Sequence, residues 1–197
     1  MGAKNSKQSL SSDEMAYLMK HTNLDGNTVQ EWYSGFMKDF PNGRLSQEHF
    51  YDMYKMLIPN GNAEMFCKHA FRTFDTDHNG YIDFLEFLLA INITSAGSPE
   101  EKLKWAFKLY DVDGNGLITQ YEMTKVVESI YDMLGTDVLG TSDSANERAA
   151  KVFQKLDKDG DCRLTEDEFV QGFIQDDELK CLLTSVMVRN RPFLNSD

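Results

Sequence analysis

Between positions 75 and 168 the chain repeats three times a twelve-residue arrangement with oxygen-bearing side chains at positions 1, 3, 5, 9 and 12. The first copy carries Asp75, Asp77, Asn79, Asp83 and Glu86, with Gly80 at position 6. The second carries Asp111, Asp113, Asn115, Thr119 and Glu122, with Gly116 at position 6. The third carries Asp157, Asp159, Asp161, Thr165 and Glu168, but has Cys162 in place of the glycine. A single acidic turn of this kind is common on a solvated surface; three full-length copies are not. The spacing suits a hard cation that wants about seven oxygens at ~2.4 Å, which a short chain supplies only by wrapping around the ion.

The arrangement is the EF-hand calcium loop. The residue at position 7, here Tyr81, Leu117 or Arg163, lends a backbone carbonyl. Position 9 works through water, and the final Glu reaches back with both oxygens, tying the outgoing helix to the loop. Three Ca²⁺ ions are expected at saturation, with Mg²⁺ the competing occupant of the same loops when calcium is low. The loop at Asp157 should bind more weakly than its partner at Asp111. Cys162 sits where a left-handed backbone is demanded, which costs a side-chain-bearing residue roughly 1 kcal/mol. Against this stand four acids, Asp157, Asp159, Asp161 and Glu168, whose mutual repulsion is relieved when an ion enters.

A fourth, earlier segment aligns with the others through Gly43 at position 6 and Leu45 at position 8, but its chemistry is disabled. Lys38 and Phe40 replace the acids at positions 1 and 3, Pro41 stiffens the backbone, and His49 replaces the bidentate Glu. It should not bind calcium. It can still pair, because EF-hands join through a short antiparallel bridge at position 8, which sets Leu45 against Ile82 and Ile118 against Leu164. The near-equal offsets from Lys38 to Asp75 and from Asp75 to Asp111 mark an internal repeat, and the longer one from Asp111 to Asp157 reflects an insertion, Gly135 to Ser144, read as a polar loop. The fold class is therefore all-α, with four EF-hands in two paired lobes. The N-terminal lobe is placed at 1–94 and the C-terminal lobe, with the tail, at 95–197. Thr94 to Pro99 reads as the turn between them, Pro99 suiting a first helical position.

Capping-box patterns mark helix starts at Ser11/Glu14, Thr28/Glu31, Ser98/Glu101 and Ser144/Glu147. On the first lobe, Trp32, Tyr33, Phe36, Phe50, Tyr51, Met53, Tyr54 and Leu57 are more aromatic than a small core needs. Ten methionines in the chain suit adaptable binding surfaces. As a set these residues suggest a target groove that opens when calcium binds, although each could simply fill the core.

A net charge of −12 argues against nucleic acid as a partner, since phosphates would be repelled and no basic patch offsets this. Cys67, Cys162 and Cys181 form neither a zinc spacing nor an even-numbered framework, which suggests reduced thiols in the cytosol. No secretory leader is recognised, and the most apolar run, Phe84 to Ile93, is interrupted by Glu86 and too short to span a bilayer. The start, Met1-Gly2-Ala3-Lys4-Asn5-Ser6, fits N-myristoylation at Gly2; the competing reading is a frayed polar terminus. One acyl chain gives only marginal, reversible membrane binding. The expected location is thus cytoplasmic, peripheral on the cytosolic side of a membrane. A phosphate-binding loop, a nucleophile elbow and a His-Glu-x-x-His motif are all lacking, and His21, His49, His69 and His78 are scattered singly, so no enzyme is expected.

Four EF-hands with a disabled first one, the Gly2 pattern, Glu31-Trp32-Tyr33, Phe71-Arg-Thr-Phe74-Asp75 and the run from Lys102 through Trp105 to Tyr110-Asp111 together resemble the neuronal calcium sensor family of recoverin, frequenin, neurocalcin and the guanylate cyclase activating proteins. The resemblance covers roughly residues 1 to 185. Phe40 departs from it, the family usually having cysteine before the proline, as does the tail from Val188 to Asp197. It implies a calcium-myristoyl switch or a calcium-dependent clamp on a helix of an effector, which could be a kinase, channel, receptor or guanylate cyclase. A cyclase activator is the near alternative. A cytosolic calcium buffer is the second, and would need neither an acyl anchor nor a disabled first hand.

Overall fold

Most helix starts among the described residues are written in short polar side chains, the helix opening at Glu64 behind Ala63 being an exception, and the elements follow from them. In the computed structural model, which describes residues 9–59, 61–134, 143–176 and 179, α1 (Ser12–Thr22), α2 (Gly26–Asp39), β1 (Leu45–Ser46) and α3 (Gln47–Leu57) form the first hand. The second hand is α4 (Glu64–Phe74), β2 (Tyr81–Ile82) and α5 (Phe84–Ala96); the third is α6 (Pro99–Tyr110), β3 (Leu117–Thr119) and α7 (Gln120–Leu134). The fourth is α8 (Ala145–Leu156), β4 (Arg163–Thr165) and α9 (Glu166–Gln175). The mostly helical EF-hand architecture expected from the repeats is what forms.

Reciprocal capping boxes close α1 at Ser11/Glu14, α6 at Ser98/Glu101 and α8 at Ser144/Glu147. Each satisfies two backbone donors that a helix start would otherwise leave open. Thr28 is the exception among the expected caps. Asp25 caps α2 instead, accepting from the Asn27 and Thr28 amides at 2.9 and 3.0 Å, while the Thr28 hydroxyl donates to its other oxygen. Asp25 caps the turn before, so Thr28 falls inside the helix, which begins earlier than the Thr28 pattern suggests. Pro99 does open α6. The turn before it is shorter than expected, because α5 runs through Ala96 and Gly97 caps it. Thr94 and Ser95 stay helical by donating to the carbonyls of Ala90 and Ile91 at 2.9 and 2.7 Å, the back-bonding available to hydroxyls inside a helix.

The two-residue and three-residue strands pair antiparallel as the position-8 argument requires. Leu45 faces Ile82, and Ile118 faces Leu164, and all four are fully buried. One continuous core runs through both pairs. In the first pair, Phe50 meets Phe71 and Phe74 edge to face at 5.7 and 5.4 Å. In the second, Phe169 packs against Phe107, Tyr110 and Phe173. The pairs are joined chiefly by α4, which packs against both α6 and α7. Among the described residues, no helix is long and apolar enough to cross a membrane. Gly2, most of the 135–144 insertion, Cys181 and the tail from Val188 lie outside the described residues.

Candidate metal centres

Each acidic loop is folded around its own first carboxylate. Asp75 accepts the Asn79 amide at 3.0 Å on one oxygen and the Gly80 amide at 2.9 Å on the other. Asp111 does the same with Asn115 at 3.1 Å and Gly116 at 2.9 Å. The two later N–H groups turn back because Gly80 and Gly116 take φ of +84° and +83°, a region open to glycine at no steric cost. The asparagines then steady the third position, their side-chain amides donating to Asp77 and Asp113 at 2.8 and 3.0 Å. The position-12 acids reach back across the loop. Glu86 Oε1 takes the amides of Thr76 and Asp77 at 2.8 and 3.3 Å, and Glu122 Oε1 those of Val112 and Asp113 at 3.1 and 3.3 Å. Their second oxygens accept from Asp83 at 3.0 Å and Thr119 at 2.8 Å.

The donor set fits calcium. Oxygens of Asp75, Asp77 and Glu86 lie within 4.8 Å of one another, as do those of Asp111, Asp113 and Glu122. Ligands ~2.4 Å from one ion stand at most about 4.8 Å apart, and every side-chain donor is a hard oxygen. Asp75, Asp111 and Glu122 are buried, so the charge there is set for a partner that is not water.

The fourth-hand loop differs in the direction that Cys162 predicts. Cys162 does adopt the left-handed backbone, φ +62°, and donates its amide to Asp157 at 3.0 Å. The other Asp157 oxygen accepts from Gly160 at 2.8 Å, one residue earlier than in the sister loops. The close oxygen cluster here is Asp157, Asp159 and Asp161, all more exposed than Asp75 and Asp111. Glu168 reaches back at longer range, its Oε1 accepting the Lys158 amide at 3.4 Å against 2.8 and 3.1 Å for the matching contacts of Glu86 and Glu122. Its carboxyl is held below the usual range by the Thr165 amide, which donates at 3.0 Å.

The family model for an EF-hand domain pair matches residues 100–174, and that for a single EF hand domain matches residues 66–93. Neuronal calcium sensor 1 of Lymnaea stagnalis is 39% identical over 186 residues, covering 93% of this chain and 96% of the relative. Recoverin of Homo sapiens is 36% identical over 184 residues, 91% and 92% of the two chains. S-modulin of Aquarana catesbeiana is 32% identical over 178 residues, 88% of each. The chain belongs to the neuronal calcium sensor family. As an EF-hand protein of that family it has three loops whose oxygens suit Ca²⁺.

The first loop keeps the shape of a hand with other side chains at the ligand positions. Gly43 takes φ +72°, and Asn42 accepts the Arg44 amide at 3.1 Å. Phe40, at position 3, packs against Phe36 and turns its edge to His49, with centroids 5.1 and 6.1 Å away. His49, at position 12, meets Ser46 at 2.9 Å through Nδ1, taking the place of the reaching Glu. The Arg44 guanidinium lies 5.2 Å from the Tyr81 ring centroid. A side-chain cation of the first loop thus stands beside position 7 of the second.

Of the eight residues expected to line a groove, Tyr33, Phe36, Phe50 and Tyr54 are buried in this conformation. Trp32, Tyr51 and Met53 are half-buried, and Leu57 is 49% exposed beside Met56 at 76%. Three features went unread in the sequence. His78 is left-handed, φ +56°, at the position where the sister loops have Gly114 and Gly160, also left-handed; stacking the three loops would have exposed it. Arg72 donates across the two pairs to Lys108, Leu109 and Asp111, and Gly61 packs on the backbone of Met133. Neither contact has a periodic signal.

Proposed function

We propose that this chain is a calcium sensor, N-myristoylated at Gly2, that changes conformation on binding calcium and regulates a membrane-associated effector through the apolar surface of its first EF-hand pair. The observation that carries this reading is the joining of closed oxygen loops to helices that bear aromatic side chains. Glu86 opens into α5, whose Phe84 and Phe87 rings meet Tyr33, Phe36 and Trp32 of α2 at centroid distances of 5.0 to 6.2 Å. Glu86 reaches across the loop here, and exchanging those amide contacts for an ion, or losing them, shifts α5 against α2. Helix-pair opening of this kind uncovers apolar groups, and of the groove candidates Trp32, Tyr51, Met53 and Leu57 lie nearest solvent, beside Met56. An amphipathic effector helix is the partner such a surface accepts. Calcium-sensor relatives support this reading over a buffer.

The test is production with N-myristoyltransferase, followed by intact mass and by vesicle sedimentation with calcium or with chelator. Acylation at Gly2 and a calcium-dependent change in the sedimented fraction are expected, both lost in Gly2→Ala. An apolar dye should brighten when calcium is added. An unmodified mass would remove the acyl switch, and a dye signal indifferent to calcium would favour a buffer.

A further inference from the structure

The helix that leads into the Asp75 loop also holds the start of the Asp111 loop. Arg72 sits one turn before Asp75 on α4. Its guanidinium donates to the carbonyl of Asp111 at 2.5 Å and to those of Lys108 and Leu109 at 3.1 Å each. Those are carbonyls at the C-terminal end of α6, where a helix has no donors of its own to offer and its dipole favours a cation. Asp111 is also the first ligand position of the third hand. The same turn of α4 is tied to its own loop, because the Asp75 amide donates to Phe71 at 2.8 Å. Phe74 meets Trp105 of α6 edge to face at 5.9 Å. At the far end of the third loop, His69 of α4 and Glu122 of α7 line one cavity of about 300 Å³. One helix therefore holds the start of the third loop and faces, across that cavity, the helix that carries the loop's last ligand.

We propose that Arg72 is a positioning residue that couples the Asp75 loop to the Asp111 loop, so that filling the first tightens the second. This rests on the reading that both loops bind calcium. When an ion gathers Asp75 and Glu86, the last turn of α4 moves with Asp75. The guanidinium carries that movement to the Asp111 carbonyl, and with it to the carboxylate of the same residue. Charge alone does not account for the role. A cation near Asp111 steadies the empty loop but repels an arriving ion, whereas the three-carbonyl fork fixes geometry in both states. Lysine keeps the charge and loses the fork, which separates the two effects.

The experiment is a double-mutant cycle read by titration calorimetry. Glu86→Gln disables the Asp75 loop, and the affinity of the Asp111 loop is compared with and without it, in the wild-type, Arg72→Lys and Arg72→Gln backgrounds. The third signal, from the Asp157 loop, is removed throughout by Glu168→Gln. With Arg72 present, disabling the Asp75 loop should weaken the Asp111 loop about fivefold, the lower end of ordinary site coupling. With Lys or Gln at 72 the loops should titrate independently. In calcium-free protein, hydrogen exchange at the Asn115 and Gly116 amides should quicken in both variants, with unchanged exchange at the Leu45–Ile82 bridge showing that the fold persists. Equal coupling in all three backgrounds would overturn the proposal. Failure of either loop to bind calcium in the wild type would overturn the reading beneath it and the proposal together.

Discussion

Cys162 marks the smallest change that should move function measurably. Its φ of +62° is held against the crowding of its own Cβ, worth roughly 1 kcal/mol or about fivefold in affinity. Cys162→Gly is expected to tighten the fourth-hand site by about that factor in a calcium titration. Glu168→Gln should abolish the site, because a neutral amide cannot supply the charged bidentate arm. If neither variant changes the curve, the saturating count is two ions. His69 supplies a second residue-scale effect. It is buried with an Nε2 that has no hydrogen-bond partner among the described residues, and burial, then Arg72 and Lys68, hold its imidazole below the ordinary 6.5. The unfolded chain therefore takes up this proton first as pH falls through 6.5, so the contribution is flat above that value and stability is lost below it. Denaturation of calcium-loaded protein at pH 7.5 and pH 5.5 should show a smaller acid loss in His69→Phe than in wild type.

At the scale of elements, legibility followed the range over which the physics acts. The Leu45–Ile82 and Ile118–Leu164 pairings could be read because position 8 is counted from the ligands, and the ligands are dictated by the ion. The capping boxes at Ser11, Ser98 and Ser144 could be read because donor and acceptor lie three residues apart. Thr28 misled because Asp25 caps the turn before it and leaves Thr28 inside the helix, and Thr94 because its hydroxyl found a carbonyl inside its own helix. The Arg72 and Gly61 contacts were invisible, since nothing local distinguishes a lysine-like surface arginine from one that caps a distant helix. Gly172 in α9 belongs with them. A glycine inside a helix costs about 1 kcal/mol relative to alanine, yet a Cβ there would fall within van der Waals contact of Leu156 Cδ2, and Leu156 is buried at 1%. Overpacking a core costs about 1–3 kcal/mol, so the clash outweighs the propensity. Gly172→Ala is expected to lower the denaturation midpoint, where an exposed helical glycine would raise it.

Across the whole molecule, the ties between the two EF-hand pairs gather on one stretch of the second hand. Arg72 and Phe74 reach α6, and the connector before α4 lies on the end of α7, where the Asn62 amide donates to the Asp132 carbonyl at 3.0 Å. Gly61 makes that approach possible, because a Cβ on it would collide with the carbonyl oxygen of Met133. That obstacle is backbone, so no change of rotamer removes it, and the connector must lift away from α7. The two tryptophans fall one in each pair, Trp32 on α2 and Trp105 on α6. Single-tryptophan versions, Trp32→Phe and Trp105→Phe, therefore report each pair separately. With Gly61 in place, the two emission signals should follow one denaturant curve in calcium, since pairs that share one core unfold together. In Gly61→Ala the midpoints should separate and the earlier one should fall, in keeping with a cost of about 1–3 kcal/mol for forced overpacking. Coincident curves in the variant would place the mechanical link at Arg72 and Phe74 alone, and adding Arg72→Gln to Gly61→Ala should then divide them.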